Sequence, residues 1–245
     1  MSRTLARRAS AEFAGTAMLV AAVVGSGIAA ARLSPNDIGL QLLENAIATA
    51  LALGALILTF GPVSGAHFNP VVSAVDWWLG RRAATGLTGR ELAGYVPAQI
   101  GGAVTGAVLA DLMFGLPAVT WSRTDRTGSN LWLAEVVATA GLIVLIFALA
   151  RSGRGAAAPA AVGAYIGAAY WFTSSTSFAN PAVTIGRAFT DTFAGIAPTS
   201  VPGFVAAQLV GALVAVAALA AWYPQAEQTA GAVVVPQLPE EARRR

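Results

Sequence analysis

Ser177-Phe178-Ala179-Asn180-Pro181-Ala182-Val183 interrupts a long apolar run in the last third of the chain, and Ala66-His67-Phe68-Asn69-Pro70-Val71-Val72 does the same in the first half. Asn is among the best helix N-caps because its side-chain oxygen accepts hydrogen bonds from first-turn amides. Pro suits the first helical position, where no N–H is needed. Each Asn-Pro therefore predicts a helix that starts inside apolar surroundings. One copy alone would read as a turn; two copies at matching places in a repeat would not. About ten residues follow each before charge or glycine, enough for a half-helix of roughly 15 Å, half the hydrocarbon thickness of a bilayer.

The surroundings are those of a membrane protein. Hydrophobic residues make up 56% of the chain and charged residues 11%, against roughly 25% charged in soluble domains. Uncharged runs cover 13–31, 45–75, 92–110, 155–186 and 192–226, with a further apolar run at 136–150. One span needs about 20 apolar residues. The two runs holding the Asn-Pro copies are too long for one span, so each contains a span and something more. The N-terminus, with Arg3, Arg7 and Arg8 before an apolar stretch, has the look of a secretory signal, but Glu12 within it and its mid-chain recurrence argue for a span.

The chain has no cysteine and a single histidine, His67. That excludes a disulfide framework, a thiolate site and a multi-histidine metal cluster, and no cofactor is called for. All 15 basic residues are Arg, and Ala and Gly are abundant, a composition of GC-rich bacterial coding. The net charge of +3 reflects topology and not a nucleic-acid partner. With six spans, Arg3, Arg7, Arg8, Arg81, Arg82, Arg90, Arg151, Arg154 and Arg243 to Arg245 share one side, so the positive-inside rule puts both termini in the cytoplasm of a cell-membrane protein.

The chain is duplicated. Ala11-Glu12 with Thr16-Ala17 recurs as Ala134-Glu135 with Thr139-Ala140, Ser64 with Asn69-Pro70 as Ser175 with Asn180-Pro181, and Ala98-Gln99 with Gly102-Ala103 as Ala207-Gln208 with Gly211-Ala212. Spans are expected near 10–30, 43–61 and 92–113, then 130–150, 158–174 and 203–223. Residues 1–9 and 225–245 are expected to be cytoplasmic tails flanking a channel domain at 10–224, with repeats at 10–114 and 130–223. Three spans per half force the second half to enter from the opposite side, an inverted repeat. The Asn-Pro segments then approach from opposite faces and meet at the midplane. The non-helical backbone before them must run beside a watery cavity. Two positive helix ends there oppose cations and protons, while spare Asn amide donors bond a neutral solute.

The stretches AEFAGT, SGAHFNPVV, GYVPAQIGG and SFANPAVT, together with the late AAQLVGA, resemble the aquaporin and glycerol-facilitator family over all but the tails. The resemblance implies an all-α membrane fold of six tilted helices and two re-entrant half-helices, one pore per subunit, and a homotetramer in a lipid bilayer. The pore motifs are Asn69-Pro70-Val71 and Asn180-Pro181-Ala182. The family's constriction, carried over by spacing, falls on Thr49, Ala168, Ser177 and Val183. Val183 stands where the family has Arg, as in its bacterial arsenic-associated branch. An Arg-free filter implies a wider, more apolar passage for small uncharged solutes such as arsenous acid or methylated arsenicals, with water or glycerol as the alternative.

Arg187 lies one turn beyond Val183 on the same helical face. It either lines the outer mouth and restores some of the lost charge, or it anchors at headgroups or pairs with Asp191. Glu12 and Glu135, the carboxylates well inside predicted spans, read as holders of re-entrant loop amides by resemblance, or as a proton relay. His67 is placed at the cytoplasmic vestibule, as a gate or a loop-fixing group. Asp111 is expected at the interface. The tryptophans fall near span ends as an aromatic belt, and Gly102 with Gly106 makes a face for close helix packing. A proton-coupled transporter would need paired ionisable groups along the spans, and none is seen. An enzyme would need a converging nucleophile, base and oxyanion donor, and these are also missing.

Overall fold

The computed structural model describes residues 3–224, so the expected C-terminal tail at 225–245 lies outside the described residues. These are α1 (Arg3–Leu33), α2 (Ile38–Ser64), α3 (Pro70–Ala83), α4 (Gly89–Met113), α5 (Ser129–Arg151), α6 (Ala158–Phe172), α7 (Pro181–Gly186) and α8 (Val201–Trp222). Among the described residues there is no strand. Helices α1, α2, α4, α5 and α8 are long and apolar enough to cross a membrane. The sixth, α6, has 15 residues, about 22 Å, and a 3-10 turn at Gly155–Ala157 precedes it. It stops before the expected 174 because the chain at Thr173 turns extended to enter the second re-entrant loop.

The boundaries follow from local chemistry. Asp37 caps α2 by accepting from the Leu40 amide at 2.9 Å. Thr88 and Glu91 form a reciprocal capping box at the start of α4, satisfying two first-turn donors. Helix α2 ends where Gly65 takes φ 92°, a left-handed conformation that costs glycine nothing.

The pairing of helices repeats. Contacts between α1 and α4, and between α1 and α2, are matched by those of α5 with α8 and of α5 with α6, while α2 meets α6 across the halves. With the short α3 and α7 between the second and third helix of each half, this is the inverted three-plus-three repeat with two re-entrant half-helices. A Cβ on Gly102 or Gly106 would run into the backbone carbonyls of Phe13 and Ala17, and one on Gly211 would meet Val136 O at 2.7 Å. The small-residue face thus seats α1 on α4, and its duplicate seats α5 on α8.

The segment with a signal-like composition belongs to the core, with Val20 and Val24 fully buried. Residues 3–9 are not a free tail. Leu5 and Arg8 are buried; Arg8 pairs with Glu91 and donates from Nε to Tyr95 Oη at 2.9 Å. The charge of Arg8 is thereby paired within the first turns of α1. Large apolar side chains on the outside, including Leu51, Leu58, Leu133 and Leu213, form a lipid-facing surface. Trp132, Trp171 and Trp222 are exposed near helix ends.

Candidate functional site

Asn69 and Asn180 are the N-caps of α3 and α7, both with extended backbone. Asn69 Oδ1 accepts from Val71 N at 3.1 Å, and Asn180 Oδ1 accepts from Ala182 N at 3.0 Å and Val183 N at 3.3 Å. Their amide nitrogens cross the junction between the halves. Asn69 Nδ2 donates to Ala179 O and Asn180 Nδ2 to Phe68 O, each at 2.8 Å. These two bonds are equivalent under exchange of the repeats, which places the helix tips against each other. A carboxamide has two N–H donors, so each Asn keeps one that these bonds do not use. Val71 and Ala182, the third residues of the two motifs, are both buried.

The loops before the Asn residues are held by the duplicated glutamates. Glu12 accepts from Ser64 Oγ (2.6 Å), His67 N (3.0 Å), Phe68 N (2.7 Å) and Gln99 Nε2 (2.8 Å). Glu135 accepts from Ser175 Oγ (2.7 Å), Phe178 N (2.9 Å), Ala179 N (2.8 Å) and Gln208 Nε2 (2.6 Å). The correspondence is residue for residue. Both carboxylates are fully buried, and four donors each satisfy amides that the re-entrant path leaves without helical partners. The amides converge because Ala66, Phe68, Ser177 and Ala179 take positive φ. Gln99 and Gln208 also reach Ser73 Oγ and Thr184 Oγ1, at 2.9 Å each. The sequence marks Gln99 and Gln208 as repeated landmarks but gives them no role; Ser73 and Thr184, each four residues past an Asn, carry the same signal.

One cavity is lined by both Asn side chains. Its wall includes Ala66 and His67 from the first loop, Leu53 and Thr49 from α2, and Ser177, Val183 and Arg187 from the second half. Three of the four positions carried over by spacing, Thr49, Ser177 and Val183, are therefore on it. Ala168 is not. From α6 the wall takes Val162, Ile166 and Tyr170, which share a face at i, i+4 and i+8; Ala168 lies about 200° around from Ile166 and is exposed. Tyr170 Oη sits 3.2 Å from Thr49 Oγ1, so a hydroxyl pair occupies the place expected for a small side chain. Helix α6 is apolar all round, and its sequence carries no signal for which face turns inward.

His67 Nδ1 lies 3.1 Å from Ser73 Oγ, and its ring meets Tyr95 edge-on at 5.7 Å. Asp111, two residues from the end of α4, is buried and accepts from Thr190 Oγ1 at 2.8 Å, so it ties α4 to the loop after α7. The reading of Arg187 as a headgroup anchor or a partner of Asp191 does not hold. Arg187 is 2% exposed, and Asp191 is taken by Arg123, whose amide donates to it at 2.9 Å and whose Nε lies 3.7 Å away. The connection 114–128 lies on this region through bonds from Thr120 N to Phe189 O and Ser122 N to Ala188 O. There Thr127 and Ser200 hydroxyls hold the Asp125 carboxyl below its ordinary range.

The half-helices are unequal. Helix α3 has 14 residues, whereas α7 has six and passes into a 3-10 turn at Arg187–Phe189. The expectation of two matched stubs is corrected accordingly. Gly186 lies where a Cβ would strike the Ala103 backbone, and the chain there turns across α4.

A membrane-embedded helical duplex whose re-entrant tips abut beside one internal cavity defines a transmembrane channel for small solutes. The sequence matches the Major intrinsic protein family over residues 1–178, and the chain belongs to that family. It is 54% identical over 213 residues to the aquaglyceroporin AqpS of Rhizobium meliloti, covering 87% of this chain and 88% of the relative. It is 33% identical to the probable aquaporin AqpM of Archaeoglobus fulgidus, covering 88% and 96%. The fold is shared with the X-ray structure of the aquaglyceroporin from Plasmodium falciparum, at a TM-score of 0.63 and 19% identity over 91% of this chain and 99% of that one.

Proposed function

We propose that the chain is a passive channel for small uncharged solutes, with arsenous acid and methylated arsenicals as its favoured cargo. The observation that carries this reading is Val183, on the cavity wall three residues past Asn180, where the family's Arg is expected. With Ile166 and Leu142 also on the wall, the passage offers an apolar surface to methyl groups. The spare N–H of each Asn, the Thr49–Tyr170 hydroxyls and Ser177 offer polar contacts to hydroxyl groups. Arsenous acid is an uncharged triol at neutral pH and suits such a lining. The relatives' names, aquaporin and aquaglyceroporin, favour water or glycerol as the second reading.

Passive flux is supported by the absence, among the described residues on the cavity wall, of a carboxylate that could pair with His67 or Arg187. A proton-coupled cycle ordinarily needs such a pair. The same reading takes the protein as a homotetramer in a bacterial cell membrane with cytoplasmic termini.

The test is stopped-flow swelling of proteoliposomes with water, glycerol, arsenous acid and a methylated arsenical, comparing the native protein with Val183→Arg. The account expects the native protein to pass the larger solutes and the variant to lose them more than water. Equal loss of all solutes, or no loss, contradicts it.

A further inference from the structure

We propose that the positive charge of this filter has moved one turn along the chain: Arg187, clamped on Phe178 with Arg126 behind it, excludes cations and donates hydrogen bonds to oxygens of the passing neutral solute. This rests on the channel reading above and assigns a specificity-determining group within the same pore.

The clamp is visible atom by atom. The Arg187 guanidinium carbon stands 3.5 Å from the centroid of the Phe178 ring, and that of Arg126 stands 5.1 Å from it. Guanidinium over an aromatic face is an attractive, orienting contact. Arg187 Nε donates to Ala194 O, and Arg126 Nε donates to Gly195 O at 2.9 Å. Two cations thus share one ring and two successive carbonyls of one loop. Both Nε groups are used, and the Nη amino groups of Arg187 have no protein acceptor among the described residues, while the side chain forms part of the cavity wall.

A buried guanidinium ordinarily has a carboxylate partner. Here the candidates are engaged elsewhere. Glu135 is saturated by its four donors, and Asp191 goes to Arg123. The charge of Arg187 is therefore left to act on the pore, where low-dielectric walls lengthen its reach.

Two further features favour this assignment. Helix α7 has six residues, so its aligned peptide dipoles are fewer than those of α3 and the second half supplies less positive potential from backbone alone. The Thr49 and Tyr170 hydroxyls, 3.2 Å apart, lie on the same wall. With the Arg187 Nη donors they give the wall polar groups alongside the apolar Val183. The competing reading, a purely structural staple for loop 194–195, predicts altered stability without altered ion exclusion.

The experiment measures proton and sodium leak alongside glycerol and arsenous acid flux in proteoliposomes, for the native protein, Arg187→Ala, Arg187→Ala with Val183→Arg, Arg187→Lys and Arg187→Gln, each first checked for intact assembly by size exclusion. The expected result is a leak raised on the order of tenfold in Arg187→Ala, the lower range of what charged clefts do to local ion concentration. Neutral-solute flux persists in that variant, and the leak returns to the native level when Val183→Arg is added. A well-assembled Arg187→Ala protein with native leak overturns the proposal. If Arg187→Ala does not assemble, a tight Arg187→Lys with a leaky Arg187→Gln supports it, and two equally tight variants overturn it. Native protein that passes no neutral solute would instead overturn the channel reading itself.

Discussion

Glu12 and Glu135 each accept four hydrogen bonds in full burial, a state open to a carboxylate and closed to a carboxamide. A glutamine has one acceptor oxygen, and its NH2 would confront donors. Glu12→Gln and Glu135→Gln should each cost about 2–4 kcal/mol, two buried amides or hydroxyls losing their acceptor, read as a lower Tm in detergent and as lost solute flux. Native-like melting would show that the carboxylates do not hold the loops. Duplication makes these residues legible in sequence, because a chance Glu does not recur beside a recurring Thr and Ala. The same signal exposes Asn69, Asn180, Gln99 and Gln208. Tyr170 carries no such signal: spacing from Asn180 points to Ala168, and only the helix rotation that puts Val162, Ile166 and Tyr170 on one face decides otherwise. Val183 is legible as a departure, whereas the clamp on Phe178 depends on loop 194–195 coming back over the ring. At this scale, Val183→Arg should cut glycerol and arsenous acid flux relative to water by roughly tenfold or more, the range in which a few extra atoms in a tight pocket discriminate.

At the scale of elements, hydropathy places α4, α5 and α8 to within about three residues and α1 and α2 more loosely, because a run of apolar residues has few alternatives in a bilayer. The discrepancies fall where tertiary contacts intervene. Helix α7 is brief because the chain folds against α4 at Gly186. The glycine faces are the clearest test of element packing. On Gly106 a new Cβ would overlap the Ala17 carbonyl and backbone, atoms that cannot rotate away, so α1 and α4 must separate. Gly106→Ala should destabilise the protein by about 1–3 kcal/mol, the ordinary cost of overpacking, visible as a lower thermal midpoint. Gly115→Ala is the contrast: φ is +71° but nothing lies within 4 Å, so only local backbone strain of about 1 kcal/mol is expected. Equal effects of the two changes would mean that the α1–α4 contact is not close-packed.

For the whole molecule, two halves of one pattern face each other through Asn69 Nδ2 to Ala179 O and Asn180 Nδ2 to Phe68 O, and function depends on the passage that results. A channel of this kind conducts without a cycle of conformations, so its flux should be linear in solute concentration and indifferent to an imposed pH gradient. The most direct measurement is the initial rate of glycerol and arsenous acid entry into proteoliposomes of the native protein, over a wide concentration range, with and without a proton gradient. The account predicts unsaturated rates that coincide under both conditions. Rates that saturate and rise with the gradient would contradict it.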